Sequence, residues 1–496
     1  MFEEAISQEL DQTDIDENLK EFYGVFEITG RGVVKINIVP LARLIMEEHG
    51  FHFRTIVDEK SGSKDVFYYK NGYYHPGGEF IIRKLCNKYL EEKTTNTRKN
   101  EIIGFIQDSD FAFRDELEPL PHILNLKNGV LDIYTGEMKP HSWEYGFINQ
   151  LPVNYDKEAK CEKFLLFMSQ IFPGKYSKYI DVVQEMFGYC LLRKYPIHVA
   201  FILFGGGRNG KSTLVNILQN LLGRDNYATR QLHELISDKF AKADLFGKMA
   251  NICTEISAKE ISDSSNFKAL SGGDWITGRY IYRGPFVFRN YAKLIFNANR
   301  IPPTSDKSYA FYQRWKIVVF SQTFPRGDPL TIPELDEILS TPEELSGILN
   351  WAIEGLKRVL DKKDFTKASH EEDESELYEK LANPEIAFIN EYITVDTDSK
   401  LSKEEVYERY HMWCENNVYP ISTKNMFTKM LQEVIPEAIC TNETTTVYYE
   451  GMPKTVPAYG RIKWIDKYTS PKRSGEQQLM EDFAKDIEKE EEIDES

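Results

Sequence analysis

Residues 198–223 read His198-Val-Ala-Phe-Ile-Leu-Phe204, then Gly205-Gly206-Gly207-Arg208-Asn209-Gly210-Lys211-Ser212, then Thr213-Leu-Val-Asn-Ile-Leu-Gln-Asn-Leu-Leu-Gly223. An apolar strand runs into a glycine-rich loop, and the loop runs into a helix with one apolar face. The spacing Gly205-x4-Gly210-Lys211-Ser212 curls the main chain so that the N–H groups from Gly205 to Thr213 converge on the phosphates of a nucleotide. Lys211 adds a point charge, the Ser212 hydroxyl can ligate Mg2+, and the helix N-terminus favours anions. The alternative is a glycine turn that simply enters a helix. Against it stand the strand before and the helix after, both required and neither part of the pattern. The stretch implies an α/β unit that binds a nucleoside triphosphate.

The 496 residues are enough for two to four domains. No apolar run reaches about 18 residues, so no membrane span is expected, and the Met1-Phe-Glu-Glu-Ala start is too acidic for a secretory signal. Cysteines 86, 161, 190, 253, 414 and 440 form no C-x-x-C pair, which fits reduced thiols in an intracellular protein without structural zinc. The net charge of −17 is unevenly placed: residues 1–21, 364–379 and 476–496 carry −7, −6 and −8. The remainder is mildly basic at +4. The acidity is therefore expected in solvated or mobile segments, and composition neither indicates nor excludes DNA.

Along the chain, an acidic leader (1–21) precedes an α+β region (22–120). In it Phe26–Ile28 and Val33–Ile38 look like strands, Leu41–Glu48 looks helical, and residues 66–74 form a hairpin around Asn71-Gly72. A second hairpin is expected near Leu126–Glu137, within a segment (121–196) whose later part, from Cys161 to Leu192, has helical spacing. An α/β block fills 197–325, and helix follows over Ile332–Leu360. An acidic linker (361–383) leads to residues 384–467, with two or three helices and strands at Val447–Tyr449 and Arg461–Ile465, and then to an acidic tail (468–496).

The residues after the loop indicate what the triphosphate is for. Met249-Ala-Asn-Ile-Cys-Thr is a buried-strand pattern ending at Glu255, where a carboxylate can orient an attacking water and hold Mg2+. The alternative is an ordinary solvated strand end. Lys268-Ala-Leu-Ser-Gly-Gly-Asp274 precedes Arg279-Tyr-Ile-Tyr282-Arg283-Gly-Pro-Phe-Val-Phe288, a hairpin whose arginines and tyrosines suit phosphates and stacked bases, or are merely solvated. Ala292-Lys-Leu-Ile-Phe-Asn-Ala-Asn299 is another buried strand, ending in an amide that can sense a γ-phosphate or serve as a cap. Arg314, before the strand Trp315–Phe320, could reach the γ-phosphate of a neighbouring subunit, or be a salt-bridged surface arginine.

The order of these five segments resembles the superfamily 3 helicases, in the branch of the poxvirus and the satellite-phage and plasmid primase-helicases. The matching elements are Gly205–Ser212, Glu255, Lys268–Asp274 with the hairpin to Phe288, Asn299-Arg-Ile-Pro302, and Arg314 ahead of Phe320. Asn128-Gly-Val-Leu-Asp, Thr135-Gly-Glu and Tyr155–Cys161 resemble the segment before that core. Tyr407, Tyr410, Trp413-Cys414, Phe427 and Tyr459-Gly-Arg-Ile-x-Trp464 resemble the region after it, so the likeness covers about 110–467. The resemblance implies an AAA+-like P-loop ATPase core (197–360), a mixed α+β N-terminal region and a C-terminal winged-helix domain that binds DNA or a replication partner.

It further implies a homo-oligomeric ring, usually hexameric, that uses ATP and Mg2+. Lys211, Glu255 and Asn299 would act at the site, with Arg314 supplied in trans, and Lys268, Arg279, Tyr282 and Arg283 would lie on single-stranded DNA drawn from a fork. Such a protein would work in the host cytoplasm or at the site of replication, its acidic tail available to replication proteins. Two departures stand out. Thr254-Glu255 replaces the paired acids that many relatives carry, and the stretch before residue 110 is short for a primase catalytic domain, although Asp108-Ser-Asp110 has the spacing of a metal-binding pair. Primer synthesis in the N-terminal region, and an ATP-switched origin-binding protein that recruits a host helicase, remain the alternatives.

Overall fold

The computed structural model describes residues 24–465, apart from 29–33, 49–51, 59–61, 114–119, 258, 262–263, 282–283, 326, 369–372 and 450–451. The acidic leader, the tail, and the expected hairpin-tip residues Tyr282 and Arg283 lie outside the described residues.

At the N-terminal end, strands β1 (Phe26–Ile28) and β2 (Val34–Ile36) pair and are followed by helix α1 (Ile38–Glu48). Strands β3 (Phe53–Val57), β4 (Lys64–Lys70), β5 (Tyr73–Pro76) and β6 (Phe111–Phe113) form a sheet in the order β5-β4-β3-β6. Helices α2 (Gly78–Leu90) and α3 (Asn96–Ser109) cover it with α1, burying Leu41, Ile45, Phe53, Ile82, Leu85 and Ile102. The expected Asn71-Gly72 turn is present, with φ of 52° and 95° as a tight two-residue hairpin requires. Asp108 and Asp110 do not converge on one point: Asp108 pairs with Lys64, Asp110 with His52 and Arg54.

Strands β7 (Ile123–Leu126), β8 (Gly129–Asp132) and β9 (Met138–Lys139) make a small meander that docks the N-terminal sheet onto the core. Buried Asn125 donates to the carbonyls of Gly72 and Asn149, and buried Arg193 donates to Ile123 O and Asn149 Oδ1. Helices α4 (Glu162–Ile171) and α5 (Tyr179–Cys190) then lead into the core.

The core sheet is wholly parallel, in the order β11-β12-β15-β10-β16. Its strands are β10 (Ala200–Phe204), β11 (Tyr227–Ala228), β12 (Ala250–Cys253), β15 (Lys293–Ala298) and β16 (Trp315–Val319). Parallel strands buried on both faces read as continuous apolar runs, which is why these were legible. Each large side chain on β10 contributes about 1.5–3 kcal/mol by leaving water. Helix α6 (Lys211–Leu222) follows β10; α7 (Leu232–Ser237) and α8 (Lys239–Ala243) follow β11; α9 (Ser265–Gly272) follows β12. Strands β13 (Trp275–Arg279) and β14 (Pro285–Arg289) form the expected hairpin, in register from Trp275↔Arg289 to Arg279↔Pro285.

Short α10 (Tyr309–Tyr312) precedes β16, and α11 (Leu335–Ile338) and α12 (Pro342–Lys362) follow it. The single helix expected over 332–360 is thus two, because Thr341 caps the second and Pro342 occupies its first turn. Helix α12 lies close against α5 through glycines: a Cβ at Gly355 would come 2.5 Å from the Gln184 carbonyl. Arg358 Nε reaches the fully buried Glu185 at 2.6 Å, and Thr366 completes that carboxylate.

Helix α13 (Glu374–Ala382) lies within the stretch expected as an acidic linker, yet it is docked on the core. Its Tyr378 is fully buried, and Glu374 and Glu379 pair with Lys316 and Lys307, so these acids answer local cations instead of remaining solvated. Beyond it come α14 (Pro384–Tyr392), β17 (Ile393–Ser402), α15 (Lys403–Asn417), α16 (Lys424–Val434), β18 (Thr444–Tyr449) and β19 (Met452–Trp464), with sheet order β17-β19-β18. Phe388, Tyr410, Trp413, Phe427 and Ile462 form its separate core. All six cysteines are buried and free, and no helix of the described residues is long and apolar enough to cross a membrane.

Candidate nucleotide site

The glycine-rich loop leaves β10 at the carboxyl end of the parallel sheet, where ligands of open α/β sheets lodge. Gly205 N–H bonds the Ala298 carbonyl at 3.1 Å, and a Cβ on Gly205 would come 2.8 Å from the Phe320 carbonyl. Gly207, Arg208 and Gly210 adopt φ of 104°, 50° and 82°, the left-handed turns that point main-chain N–H groups inward. At Gly210 a Cβ would come 2.7 Å from Ile171, so α4 also fixes the loop. Helix α6 starts at Lys211 and buries Leu214, Ile217, Leu218 and Leu221 against the sheet.

A cleft of about 350 Å3 opens above the loop, lined by residues 207–213, 254–255 and 297–299. The structure thus brings Lys211, Ser212, Glu255 and Asn299 together, the first two from the start of α6 and the others from the ends of β12 and β15. Lys211 is 6% exposed, and its ammonium donates to the Gly205 carbonyl and, at 3.4 Å, to Asn299 Oδ1. Burial pulls its pKa down from 10.5 to about 8. Glu255 follows β12 at the surface; Cys253 Sγ donates to its carbonyl, and Ile256 N–H bonds Asn297 O at 2.9 Å.

Thr254, Asn297 and Ala298 also line the cleft and were not anticipated. Asn297 carried a signal, as an amide set inside an apolar strand two residues before Asn299. Its Oδ1 and the Nδ2 of Asn209 are buried without a hydrogen-bond partner, although both residues lie on the cleft. Buried polar atoms of this kind call for a ligand or water. Nothing lies within 4 Å of a Cβ position at Gly206 or Gly207, so the loop has room to be approached. The donors, Asn209 Nδ2 and the buried Lys211 with Arg208 beside them, fit a triphosphate, whereas Asn297 Oδ1 is an acceptor suited to a water. Among the described residues no group of three or more His, Cys, Asp or Glu could hold a metal. A Mg2+ would therefore rely on Ser212, Glu255 and the phosphates themselves, as that ion commonly does.

Arg314 is not brought to the cleft of its own chain. It precedes β16 at the opposite end of the sheet, its carbonyl accepting Ala200 N–H at 2.6 Å, about 16 Å from the loop by strand length. Its guanidinium donates to Ala310 O at 3.3 Å and lies 3.5 Å from His198 Nδ1, and Nε is buried without a partner. Burial lowers its pKa, partly offset by Asp274.

The hairpin is half packed. Phe286 and Phe288 face Phe246, Ile276 is buried, and a Cβ on Gly278 would come 2.8 Å from Ala243 Cα. Its other face presents Trp275, which is 57% exposed, together with Thr277, half-buried Arg279 and Arg289. Lys268, expected on nucleic acid, is instead held by Asp306 at 2.7 Å and Ser308 at 3.2 Å, because α9 packs beside the loop after β15.

Three families match the chain. Residues 42–173 match one described as "D5 N terminal like", residues 381–486 one described as "Poxvirus D5 protein-like", and residues 203–314 a family of unknown function. The first begins well ahead of residue 110, where the likeness was expected to start. A candidate helicase of Acanthamoeba polyphaga mimivirus is 25% identical over 250 residues, which cover 48% of this chain and 26% of that protein. A candidate helicase of Invertebrate iridescent virus 6 is 24% identical over 277 residues, covering 49% and 26%. The chain thus spans about a quarter of the length of these relatives. Among solved structures, the apo C-terminal region of NrS-1 is similar at 13% identity and a TM-score of 0.46, over 85% of this chain and 98% of that one.

Proposed function

We propose that the chain, whose residues 42–173 and 381–486 match the D5-type poxvirus families, is an ATP-dependent DNA helicase of viral, plasmid or mobile-element replication. The observation that carries this reading is the convergence of the glycine loop, Glu255 and the Asn297–Asn299 strand end on one cleft. Main-chain N–H groups of the loop and the Lys211 ammonium bind the phosphates. Ser212 and Glu255 would hold Mg2+, which when bound neutralises charge on the phosphates. Glu255 orients the attacking water, and Asn299, within reach of Lys211, senses the γ-phosphate.

Arg314 lies too far away to serve its own cleft, which favours a ring in which each subunit completes its neighbour's site. The outward face of the hairpin, with Trp275, Arg279 and Arg289, suits stacking on bases and contact with phosphates. We read the C-terminal order helix–strand–helix–helix–strand–strand as a winged helix, a reading supported by Lys424, Asn425 and Lys429 exposed on α16 for duplex DNA or a partner. A strand-displacement assay on forks with single-stranded tails tests the reading: ATP should release the labelled strand. Oligonucleotide-stimulated hydrolysis with no strand released would point instead to the ATP-switched origin-binding role.

A further inference from the structure

The segment 299–308 joins β15 to α10 and touches three parts of the molecule. At its start Asn299 lines the cleft and receives Lys211 Nζ. In its middle the Pro302 carbonyl accepts the Tyr378 hydroxyl of α13 at 2.7 Å, and Ile261 N–H bonds the Pro303 carbonyl at 2.9 Å. Near its end the Asp306 carboxylate accepts the Lys268 ammonium, the Ser264 hydroxyl and, at 2.9 Å, the Ser308 N–H.

Lys268 sits on α9, and Ser264 is the residue that precedes it. That helix is continuous with the base of the hairpin. Asp274 N–H bonds Ala269 O at 3.2 Å, Asn290 Nδ2 bonds Leu270 O at 2.7 Å, and Asn290 N–H bonds Asp274 O. Helix and hairpin base are therefore tied together by hydrogen bonds. Pro302-Pro303 restricts the segment between Asn299 and Asp306, so a displacement at one end is not absorbed in the middle. The Lys268 and Asp306 side chains are 29% and 18% exposed, too enclosed for water and salt to screen the pair fully. Burial pushes the Asp306 carboxyl up, but its bonds to Lys268, Ser264 and Ser308 outweigh this and hold it below the usual carboxylate range.

We propose that Lys268 and Asp306 are positioning residues that couple the nucleotide cleft to the hairpin, the ion pair carrying movement of the 299–308 segment into α9 and β13–β14. Lys268 then acts on nucleic acid through the hairpin and does not touch it. The inference rests on the reading that the cleft hydrolyses ATP while the hairpin meets DNA.

Asp306→Asn removes the charge while its amide oxygen can still accept from Ser308 N–H and its NH2 can donate to the Ser264 hydroxyl oxygen. In the full chain it should leave basal ATP turnover and thermal stability at wild-type values, while stimulation by a single-stranded oligonucleotide falls about tenfold, a typical strength for coupled sites. The exchanged pair Lys268→Asp with Asp306→Lys should restore stimulation. Hydrogen exchange along β13–β14 should change when a non-hydrolysable ATP analogue binds the wild type, and not when it binds Asp306→Asn. A folded Asp306→Asn protein with wild-type stimulation and exchange would overturn the coupling and leave the helicase reading standing. A wild type that neither binds nor hydrolyses ATP would remove both.

Discussion

Two lysines are buried at opposite ends of the central sheet, and they differ in everything except burial. Lys211, at the carboxyl end, faces a cleft with unpaired amide atoms on Asn209 and Asn297. Lys293, at the amino end, is fully enclosed: its ammonium donates to the carbonyls of Leu192 and Tyr291 at 2.6 Å each and lies 4.9 and 4.6 Å from the ring centres of Tyr189 and Tyr195. Burial lowers both, Lys211 to about 8 and Lys293 to about 7. A shifted pKa therefore marks no site here. What separates the two is whether the surrounding polar groups are already satisfied.

The largest effect should come from the amino end. Arg314→Ala should leave ATP binding intact and slow hydrolysis by about 10³-fold or more if the arginine serves a neighbour. Mixing it with Lys211→Ala protein should then partly restore turnover, since some interfaces regain both groups. No gain on mixing, in assemblies that exchange subunits, would return Arg314 to a local structural role.

Lys211→Ala comes next. Turnover should drop by about 10²–10³-fold, the scale for losing one group that stabilises developing charge, with the unfolding midpoint nearly unchanged. Lys293→Met should do the reverse. It leaves two buried carbonyls unpaired, so a denaturant titration should register about 2–3 kcal/mol lost, with turnover per folded molecule preserved. If Lys293→Met impaired hydrolysis at full stability, the contrast between the two ends would fail.

The smallest effects are those of pH. Phosphate favours the charged Lys211, so nucleotide affinity should weaken as pH rises above about 8, by at most tenfold per unit, and Lys211→Arg should flatten the slope in a fluorescent-nucleotide titration. For Lys293 the unfolded chain holds its proton to about 10.5, whereas the folded chain releases it near 7. The unfolded state binds more protons across that window, so this residue makes stability rise with pH from about 7 to 10.5. Lys293→Met should remove that component of the pH profile.

Strand β17 shows what local pattern misses. Ile393-Thr-Val-Asp-Thr-Asp-Ser-Lys-Leu-Ser402 is polar in its middle and irregular between Val395 and Lys400, so no clean alternation announces it. It exists because β19 supplies its hydrogen-bond partner. The acids of α13 were read as solvated for the same reason: Lys307 and Lys316, which pair with them, are distant in sequence. By contrast, β10, the glycine loop and α6 were legible together, since each depends only on its own neighbours along the chain.

The sequence by itself determined the strand–loop–helix unit and the residue types at the neighbouring strand ends. Turn geometry, apolar periodicity and the reach of a lysine from its own loop are set by covalent spacing over a few residues. Only the tertiary structure decided that Asn297 joins Asn299 and Glu255 on the cleft, that Lys268 faces Asp306, and that Arg314 stands at the far end of the sheet. Those outcomes depend on which strand lies beside which, and hydrogen bonds between distant segments carry no local signature.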